Sequence, residues 1–521
     1  MESPNYGAGE PRLVFYPPAS WLLGALLGSA APWSAAPFLF GLLVLLGFGW
    51  SMYGLCREWT SPRASCLAAC LYIANPYAAF VLYYRAALGE LLAGVWMPLV
   101  VWFTVRRRPA AAWLGVAIAA AWLSDAPAGV MASYTVAFLA LAMALREKET
   151  WPAWRALGGV VLGLGLASFY IVPAAQEQSW VQIFRALDPG LRIEDSFLFL
   201  RTGDFYHQHA LRIASWILAA EAGAGAAAAA LVWKMRRSAP AAVLASLLGA
   251  LFFMQFPWSE FLWTHLPRLA YLQFPWRWLY VISVTACALI ALAADGAAAA
   301  IAGRSAPILA RIRSHPRLPA AMAIFAALTV AALAAAGPRL FFQPCDEEDA
   351  VGAQVATFQS GQGVAGSDEY VPTGADNLLI QQGLPAIRLL RDPEGDMAEP
   401  GGEENPDWEP GIALPASIHI LRWSAQRRQA RVACRTGGFA VLRLMDYPRW
   451  RVRVNGRLIE GRPHRADGLL TIPLAAGDSL IDVCWTESAE TVVGCSLSAA
   501  ALLALLAAFR RQQRRSSGPQ V

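Results

Sequence analysis

Long apolar runs constrain this chain more than any other feature of its sequence. A straight helix needs about 20 apolar residues to cross a bilayer, and helices satisfy their own backbone polar groups there. The sequence therefore predicts a mainly α-helical membrane protein with about 11 transmembrane helices, several of them short. The runs fall at 34–55, 64–82, 87–105, 111–124, 127–145, 156–174, 211–233, 240–256, 277–300, 319–336 and 490–509.

Composition agrees with a membrane location. Of the 521 residues, 57% are hydrophobic and only 15% are charged, whereas about 25% of the residues of soluble domains are charged. The net charge of +5 comes from short basic clusters between the apolar runs, and no nucleic-acid-binding motif accompanies them. We expect a multi-pass protein of the inner (plasma) membrane, with membrane lipid and no nucleic acid as a partner.

Basic clusters predict the topology, because cytoplasmic loops carry an excess of Lys and Arg. Alternating spans put all of these clusters on one side, so that side and the C-terminus are predicted to be cytoplasmic. Residues 1–33 then lie outside without a signal peptide. We therefore expect a further spanning helix upstream, either missed through a late start codon or lost. The clusters are Arg57 with Arg63, Arg106–Arg108, Arg146–Arg155, Lys234–Arg237, Arg304–Arg317 and Arg510–Arg515.

Four domains follow from the pattern. They are an outer loop with an interfacial helix (1–33), a polytopic membrane domain (34–336), an extracytoplasmic β-rich domain (337–487) and a final helix with a basic tail (488–521). Within the third domain, the acidic stretch 392–411 is typical of a disordered loop. Asn455-Gly456 is a strong hairpin signal, since a type I′ turn needs positive φ at both positions. A small antiparallel sandwich is predicted.

Cysteine and histidine residues give only weak evidence for a disulfide bond or a metal site. The eight cysteines lack metal-ligand spacing, and a Cys434–Cys484 bridge is one option in an oxidising compartment. Asp204, His207 and His209 are candidate ligands for a divalent ion. Their spacing matches no metal motif, and the two histidines would face opposite ways in an extended segment.

Arg85 and Glu90 sit inside or beside an apolar run. An ionised residue in a lipid-facing helix costs about 2.5–3.5 kcal/mol, so such residues usually face a protein interior or a cavity. Five residues correspond to roughly 140° around an α-helix, which is unsuited to a direct pair, so we expect separate partners. For Glu90 the alternatives are an interhelical hydrogen bond and a role as base or metal ligand. For Arg85 they are snorkelling to the interface and phosphate binding.

Further candidates lie on the same predicted outer side. Asp125 marks a turn before a proline. The ordinary interpretation is a solvated turn aspartate, and the functional interpretation is a catalytic base. Arg268 and Arg277 run against the topology rule, and anionic ligands such as lipid phosphates would explain them. Glu10 lies in a Gly-rich loop that either anchors at the interface or lines a site.

Several motifs together resemble a known family. They are GEPRLVFYPPASWLLGALLG (9–28), NPYAAFVLYYRAALGELLAGVWMPLV (75–100), LQFPWRWLYV (272–281), DEYVP (368–372) and DYPRWRVRVNG (446–456). In their order they resemble the large bacterial membrane proteins labelled 6-pyruvoyl-tetrahydropterin synthase-related, akin to the YfhO-type proteins. The resemblance covers nearly the whole chain. It does not extend to the soluble synthase's activity, since the His-rich zinc site is missing from the sequence.

The resemblance implies a GT-C-type glycosyltransferase architecture. Members of that class transfer sugars from polyprenyl-phosphate carriers at the outer face of the membrane, using an acid in the first outer loop, often with a divalent metal. Apart from Glu2, Glu10 is the only acid in the remaining part of that loop, so the resemblance points to Glu10. The chemistry of such a transferase needs a base for the acceptor hydroxyl, for which Glu10, Asp125 and Glu90 are the candidate catalytic residues. It also needs positive charge for the departing phosphate, for which Arg85, Arg268 and Arg277 are the candidate phosphate-binding residues. Where a His-containing turn is expected, the chain has Ser124-Asp125-Ala126-Pro127, which leaves that role open.

Two other functions stay open beside a glycosyltransferase that modifies cell-envelope glycan or lipid. A lipid or polysaccharide translocator would use the same outward cavity, although no inverted repeat of broken helices is evident in the sequence. A non-catalytic membrane scaffold is the other alternative.

Overall fold

A computed structural model of the protein describes residues 4–106, 111–235, 238–304, 335, 341, 346–409 and 413–516. The described chain is mostly helical, and a β-sheet domain lies near the C-terminus. It forms two compact units. The helical unit comprises Pro17–Ser168, Leu187–Pro344 and Leu497–Val521, and the sandwich unit comprises Met1–Tyr16, Phe169–Ala186 and Cys345–Ser496.

The main elements are numbered along the chain. The α-helices are α1 (Arg12–Phe15), α2 (Pro18–Ala30), α3 (Ala36–Cys56), α4 (Pro62–Ile73), α5 (Pro76–Ala79), α6 (Leu88–Ala93), α7 (Trp96–Val105), α8 (Ala111–Ser124), α9 (Ala126–Glu147), α10 (Trp151–Leu166), α11 (Ser168–Gln176), α12 (Phe205–Met235), α13 (Ala239–Phe253), α14 (Glu260–His265), α15 (Leu279–Arg304), α16 (Val351–Ser360) and α17 (Ala489–Ser516). The strands are β1 (Ile387–Leu390), β2 (Ala416–Ser424), β3 (Arg427–Cys434), β4 (Gly438–Met445), β5 (Trp450–Val454), β6 (Arg457–Leu458), β7 (Leu469–Leu474) and β8 (Gly477–Trp485).

Seven helices of the described chain are long and apolar enough to cross a membrane. Two helix pairs, α10 with α11 and α13 with α14, pass the same test only together, which brings the number to nine if each pair is one span. The shorter helices α2 and α8 have 13 and 14 residues. Run 319–336 lies outside the described residues except for position 335. These helices indicate a multi-pass membrane protein, and the expected number of about 11 spans stays a prediction.

Small residues let helices of the helical unit approach closely. A Cβ atom at Gly163 in α10 would lie 2.7 Å from the Cβ of Ile118 in α8 and 2.9 Å from the carbonyl oxygen of Gly115. A Cβ at Gly159 would meet Leu114 at 2.6 Å. Membrane helices associate through such van der Waals contacts, since lipid supplies no hydrophobic force between them.

Helix ends that carry basic residues, and that the sequence predicts to be cytoplasmic, contact one another within the helical unit. Arg106 Nε lies 3.1 Å from Glu58 Oε1, and Trp102 Nε1 donates to the same oxygen at 2.7 Å. The buried Arg155 donates to the carbonyl oxygens of Thr104 and Arg106. The ends of α3, α7 and α10 therefore lie together, in agreement with the alternation of spans that the basic clusters predict.

Two antiparallel sheets form the predicted sandwich. Their strand orders are β1-β4-β7 and β2-β3-β8-β5-β6. Residues of both sheets share one core, with Leu442 and Ile472 from the first and Val432 and Val483 from the second. The Asn455-Gly456 hairpin is confirmed: it joins β5 to β6, and the two residues have φ of 51° and 82°.

The structure differs from the sequence-based interpretation at an expected disordered loop, and it decides whether the optional Cys434–Cys484 bridge forms. Within the stretch expected to be disordered, Asp396 is buried and pairs with Arg388 and Arg465, because guanidinium groups inside the unit need a counter-charge. Cys434 and Cys484 are both free thiols. The β3–β8 register places Cys434 opposite Gly477 and Cys484 opposite Arg427, at opposite ends of the strand pair.

Segments outside 337–487 complete the sandwich unit. Tyr170 donates its hydroxyl to the carbonyl oxygen of Phe15 at 2.7 Å. The buried Glu177 accepts hydrogen bonds from Arg449 and Ser488. Local composition cannot reveal such partners, since they are distant in sequence.

Arg465 gives a direct test of the buried ion pairs in this unit. Its side chain is fully buried between Asp396 and Asp467. We expect Arg465→Met to lower the free energy of unfolding by about 3–5 kcal/mol, because the change leaves the buried Asp467 without its guanidinium partner, whereas Asp396 keeps Arg388. The control Arg431→Met removes a pair whose side chains are 59% and 61% exposed and should cost no more than about 0.5 kcal/mol. Equal losses in tryptophan-monitored unfolding of the full chain would contradict this account.

Candidate functional site

Arg85 and Glu90 form a direct ion pair, so the expectation of separate partners was wrong. The chain before Arg85 is a π-helical turn, Phe80–Tyr84, and Ala86 has a φ of 49°. Helix α6 begins only at Leu88, so the α-helical separation of the two side chains does not apply. Arg85 Nη1 donates to Glu90 Oε2. A π turn and a left-handed alanine both cost energy, and such features collect at functional sites.

Glu90 has two further partners from other helices. Tyr77 Oη donates to Glu90 Oε1 at 2.5 Å, and Arg277 Nε lies 3.3 Å from Glu90 Oε2. The Glu90 side chain is 2% exposed and that of Arg277 is 10% exposed. One carboxylate thus faces two guanidinium groups. The local balance is one positive charge in excess, before Asp125 is counted.

Asp125 adds a second carboxyl group to this region. It is the N-cap of α9, where its Oδ2 accepts a hydrogen bond from the Ala128 N–H at 3.0 Å. Burial raises the pKa of Asp125 from 3.8 to about 6, although the positive charge of Arg277 and the Ala128 hydrogen bond act in the opposite direction. We call Tyr77, Arg85, Glu90, Asp125 and Arg277 the charged cluster.

Aromatic rings hold the two arginines of the charged cluster. The guanidinium carbons of Arg85 and Arg277 lie 5.4 Å and 5.3 Å from the ring centroid of Phe274. The Phe274 ring stacks on Trp276, with 4.6 Å between centroids and an interplanar angle of 2°. Arg277 Nη1 also donates to the carbonyl oxygen of Leu272 at 2.8 Å. The QFPWRW motif therefore positions an arginine by cation–π contact and hydrogen bonding.

The predicted site residues belong to both units of the fold. Arg85, Glu90, Asp125 and Arg277 come together in the charged cluster. Arg268 lies in an exposed left-handed turn with a φ of 62°, and its guanidinium carbon is 5.5 Å from the Tyr271 ring centroid. Glu10 belongs to the sandwich unit.

Glu10 is a buried acid in the sandwich unit. It pairs with Arg12, and its Oε2 accepts a hydrogen bond from the Ser367 N–H at 3.2 Å. It lines a pocket of 330 Å³ whose other walls include Trp450 and Trp485. These contacts hold the N-terminal loop against the region around Ser367.

The candidate ligands Asp204, His207 and His209 do not converge. The segment is not extended, since α12 begins at Phe205. His207 Nε2 lies 3.1 Å from the carbonyl oxygen of Asp195, whereas His209 Nδ1 lies 2.9 Å from Arg212 Nη2. Within the described part of the chain, no three His, Cys, Asp or Glu residues are grouped to hold a metal ion.

Sequence reasoning missed Tyr77 and Glu221. Tyr77 reads as one more aromatic residue of an apolar run, and nothing local indicates its carboxylate partner. Glu221 lies inside α12 and accepts a hydrogen bond from the Ser283 hydroxyl at 2.6 Å. The sequence did contain a signal for Glu221, because a carboxyl group within an apolar span usually has a buried partner or a functional role.

Neither a family model, nor a curated protein, nor a solved structure matches the chain. The charged cluster must therefore be interpreted from its own residues.

The counter-charge role of Glu90 is open to a direct test. Glu90→Gln keeps the side-chain volume but removes the carboxylate that pairs directly with the half-buried Arg85 and the buried Arg277. We expect the free energy of unfolding to fall by about 3–5 kcal/mol. The control Glu58→Gln breaks an ion pair whose side chains are 26% and 33% exposed, and should cost less than about 1 kcal/mol. Unfolding of the detergent-solubilised full chain measures both, and a Glu90→Gln loss no larger than the control's would contradict the role.

The raised pKa of Asp125 predicts a pH dependence with a definite sign. The folded protein keeps this proton up to about pH 6, whereas the unfolded chain loses it near pH 3.8. The resulting stabilisation is fully present below the lower pKa and is lost as the pH rises through the higher one.

We therefore expect the melting temperature of the wild type, relative to Asp125→Asn, to fall between about pH 4 and about pH 7. Asp204→Asn is the matched control, since Asp204 also accepts a hydrogen bond from the N–H three residues later, that of His207, but is exposed. A difference between the wild type and Asp125→Asn that is constant with pH would refute the expectation.

Proposed function

We propose that the protein is an integral membrane glycosyltransferase that uses a polyprenyl-phosphate-linked sugar donor to modify cell-envelope glycan or lipid. The observation that carries the proposal is the charged cluster, in which two arginines share one buried carboxylate beside a second carboxyl group with a raised pKa. The charged cluster therefore combines two guanidinium groups that suit an anionic ligand with a carboxyl group that suits proton transfer.

The arginines suit the phosphate of the donor. When the bond between the sugar's anomeric carbon and the phosphate oxygen breaks, its electron pair stays on the phosphate, whose negative charge grows. Arg85 and Arg277 offer planar forks of N–H donors for that charge. Glu90 and the Phe274 ring hold the two guanidinium groups in place before substrate arrives.

Asp125 is the best-placed base for the acceptor hydroxyl. With a pKa of about 6 it is ionised at neutral pH, yet it is more basic than an ordinary aspartate. It is partly exposed, whereas Glu90 is buried and its two oxygens already accept hydrogen bonds from Tyr77 and Arg85. Attack by the acceptor oxygen as Asp125 takes its proton would invert the anomeric carbon.

A resident divalent metal does not fit the charged cluster. Two guanidinium groups lie beside its carboxylates, and a cation there would meet their positive charge. The proposal therefore assigns charge stabilisation to the arginines and routes no step through a metal. Glu10 serves to hold the N-terminal loop, because both of its oxygens have partners within the sandwich unit.

The proposed function requires a definite membrane topology. We place the charged cluster at the outer face of the inner membrane, the C-terminus in the cytoplasm, and about 11 spans between 34 and 509. The meeting of the basic helix ends near Glu58 and Arg106 supports this alternation. The resemblance to the 6-pyruvoyl-tetrahydropterin synthase-related membrane proteins and to GT-C-type transferases is part of the same proposal.

A membrane scaffold is the second candidate. The observation that favours it is the saturation of Glu90 by Tyr77, Arg85 and Arg277, since such a network also fastens helices together. Under this alternative the charged cluster stabilises the bundle without chemistry. A translocator stays the remaining sequence-based alternative.

Asp125→Asn separates the transferase from the scaffold. In membranes containing the full chain, we expect this variant to lower the rate of sugar transfer from a polyprenyl-phosphate donor by about 10²–10⁴-fold, the usual contribution of a general base. Asp295→Asn is the control, because Asp295 accepts a hydrogen bond from Ser61 at the end of the helices where the basic clusters lie. An unchanged rate in Asp125→Asn, or no transfer by the wild type, would defeat the proposal.

A further inference from the structure

A cavity of the helical unit lies far from the charged cluster. It has a volume of 580 Å³ and is lined by residues at the ends of α3, α7 and α9 and the start of α13. Asp125 caps one end of α9, and Glu147 is the last residue at the other end, 22 residues along the helix. That length corresponds to about 33 Å. The cavity is therefore separate from the proposed catalytic site, and its role does not rest on the proposed function.

The rim of this cavity carries both signs of charge. Arg106 and Arg146 contribute two positive charges, and Glu58 and Glu147 contribute two negative charges. Arg106 and Glu58 already lie 3.1 Å apart. Among the lining residues that the structure describes, the charges balance, so neither an anion nor a cation alone complements this part of the rim. A ligand that carries both charges does.

The floor of the cavity is apolar. Met143, Val243 and Leu244 are buried there, and the half-buried Trp59 lies at the side. Tryptophan side chains and basic helix ends are typical of the level at which lipid headgroups meet the acyl chains. The cavity thus presents a charged rim and an apolar interior, in the same order as the headgroup and acyl chains of a phospholipid.

We propose that this cavity binds a phospholipid with an ethanolamine headgroup. The phosphate lies against Arg106 and Arg146, and the primary ammonium donates hydrogen bonds to Glu58 and Glu147. An ammonium group has three N–H donors for carboxylates, whereas a choline headgroup has none and is recognised by cages of aromatic rings. Among the described lining residues Trp59 is the one aromatic side chain, which favours ethanolamine over choline.

Native mass spectrometry of the full chain tests the proposal with three lipids. Phosphatidylethanolamine, phosphatidylcholine and phosphatidylglycerol with identical acyl chains are added in equal amounts to the detergent-solubilised protein. We expect the ethanolamine lipid to be retained over the choline lipid by about tenfold, the usual effect of a charge-assisted hydrogen bond. Equal retention of the two, or a preference for the anionic glycerol lipid, would overturn the proposal.

Two variants test the two halves of the headgroup. Glu147→Gln should abolish the preference for ethanolamine over choline, and Arg146→Gln should weaken retention of both lipids, because it acts on their common phosphate. The neighbours outside the lining supply matched controls: Glu149→Gln and Lys148→Gln should leave both quantities unchanged. A Glu147→Gln protein that keeps the preference, or controls that lose it, would show that the rim does not recognise the ammonium.

Discussion

The neutralisation of the half-buried Arg85 and the buried Arg277 by Glu90 is the interaction on which the proposed site depends. Arg85 and Arg277 come from segments almost two hundred positions apart, and each would be costly to bury without a carboxylate. Tyr77 satisfies the remaining oxygen of Glu90, and the Phe274 ring supports both guanidinium groups. The left-handed Ala86 and the π turn before it are the local deformations that turn Arg85 toward Glu90.

Two carboxyl groups in one region have different environments and, in our proposal, different roles. Glu90 is saturated with donors and acts as a fixed counter-charge. Asp125 has a single backbone donor and partial access to solvent, and its burial raises the pKa to about 6. A pair of acids whose environments differ in this way is a common basis for dividing structural and proton-transfer roles. The division explains why one region can both stabilise the helical unit and offer a base.

Much of the architecture could be predicted from local patterns. Apolar runs, many of them near the length of a bilayer crossing, basic clusters between them and the Asn455-Gly456 hairpin each reflect chemistry of neighbouring residues. The predictions failed where a partner was distant in sequence. Asp396 lies in a stretch whose composition indicates disorder, yet Arg388 and Arg465 hold it. Likewise, the distance between Cys434 and Cys484 depends on the β3–β8 register, which spacing in the sequence does not reveal.

The sequence by itself determined that this chain is a multi-pass helical membrane protein with a β-rich domain, because hydropathy and strand alternation are properties of neighbouring residues. It also pointed to Arg85, Glu90, Asp125 and Arg277 as charges that needed an explanation. Only the tertiary structure decided that these four lie together, that Arg85 pairs with Glu90 directly, that Arg268 lies in an exposed turn, and that Glu10 is paired within the sandwich unit. The reason is physical: the partner of a buried charge is chosen by packing between helices, and a single break from α-helical geometry redirects a side chain.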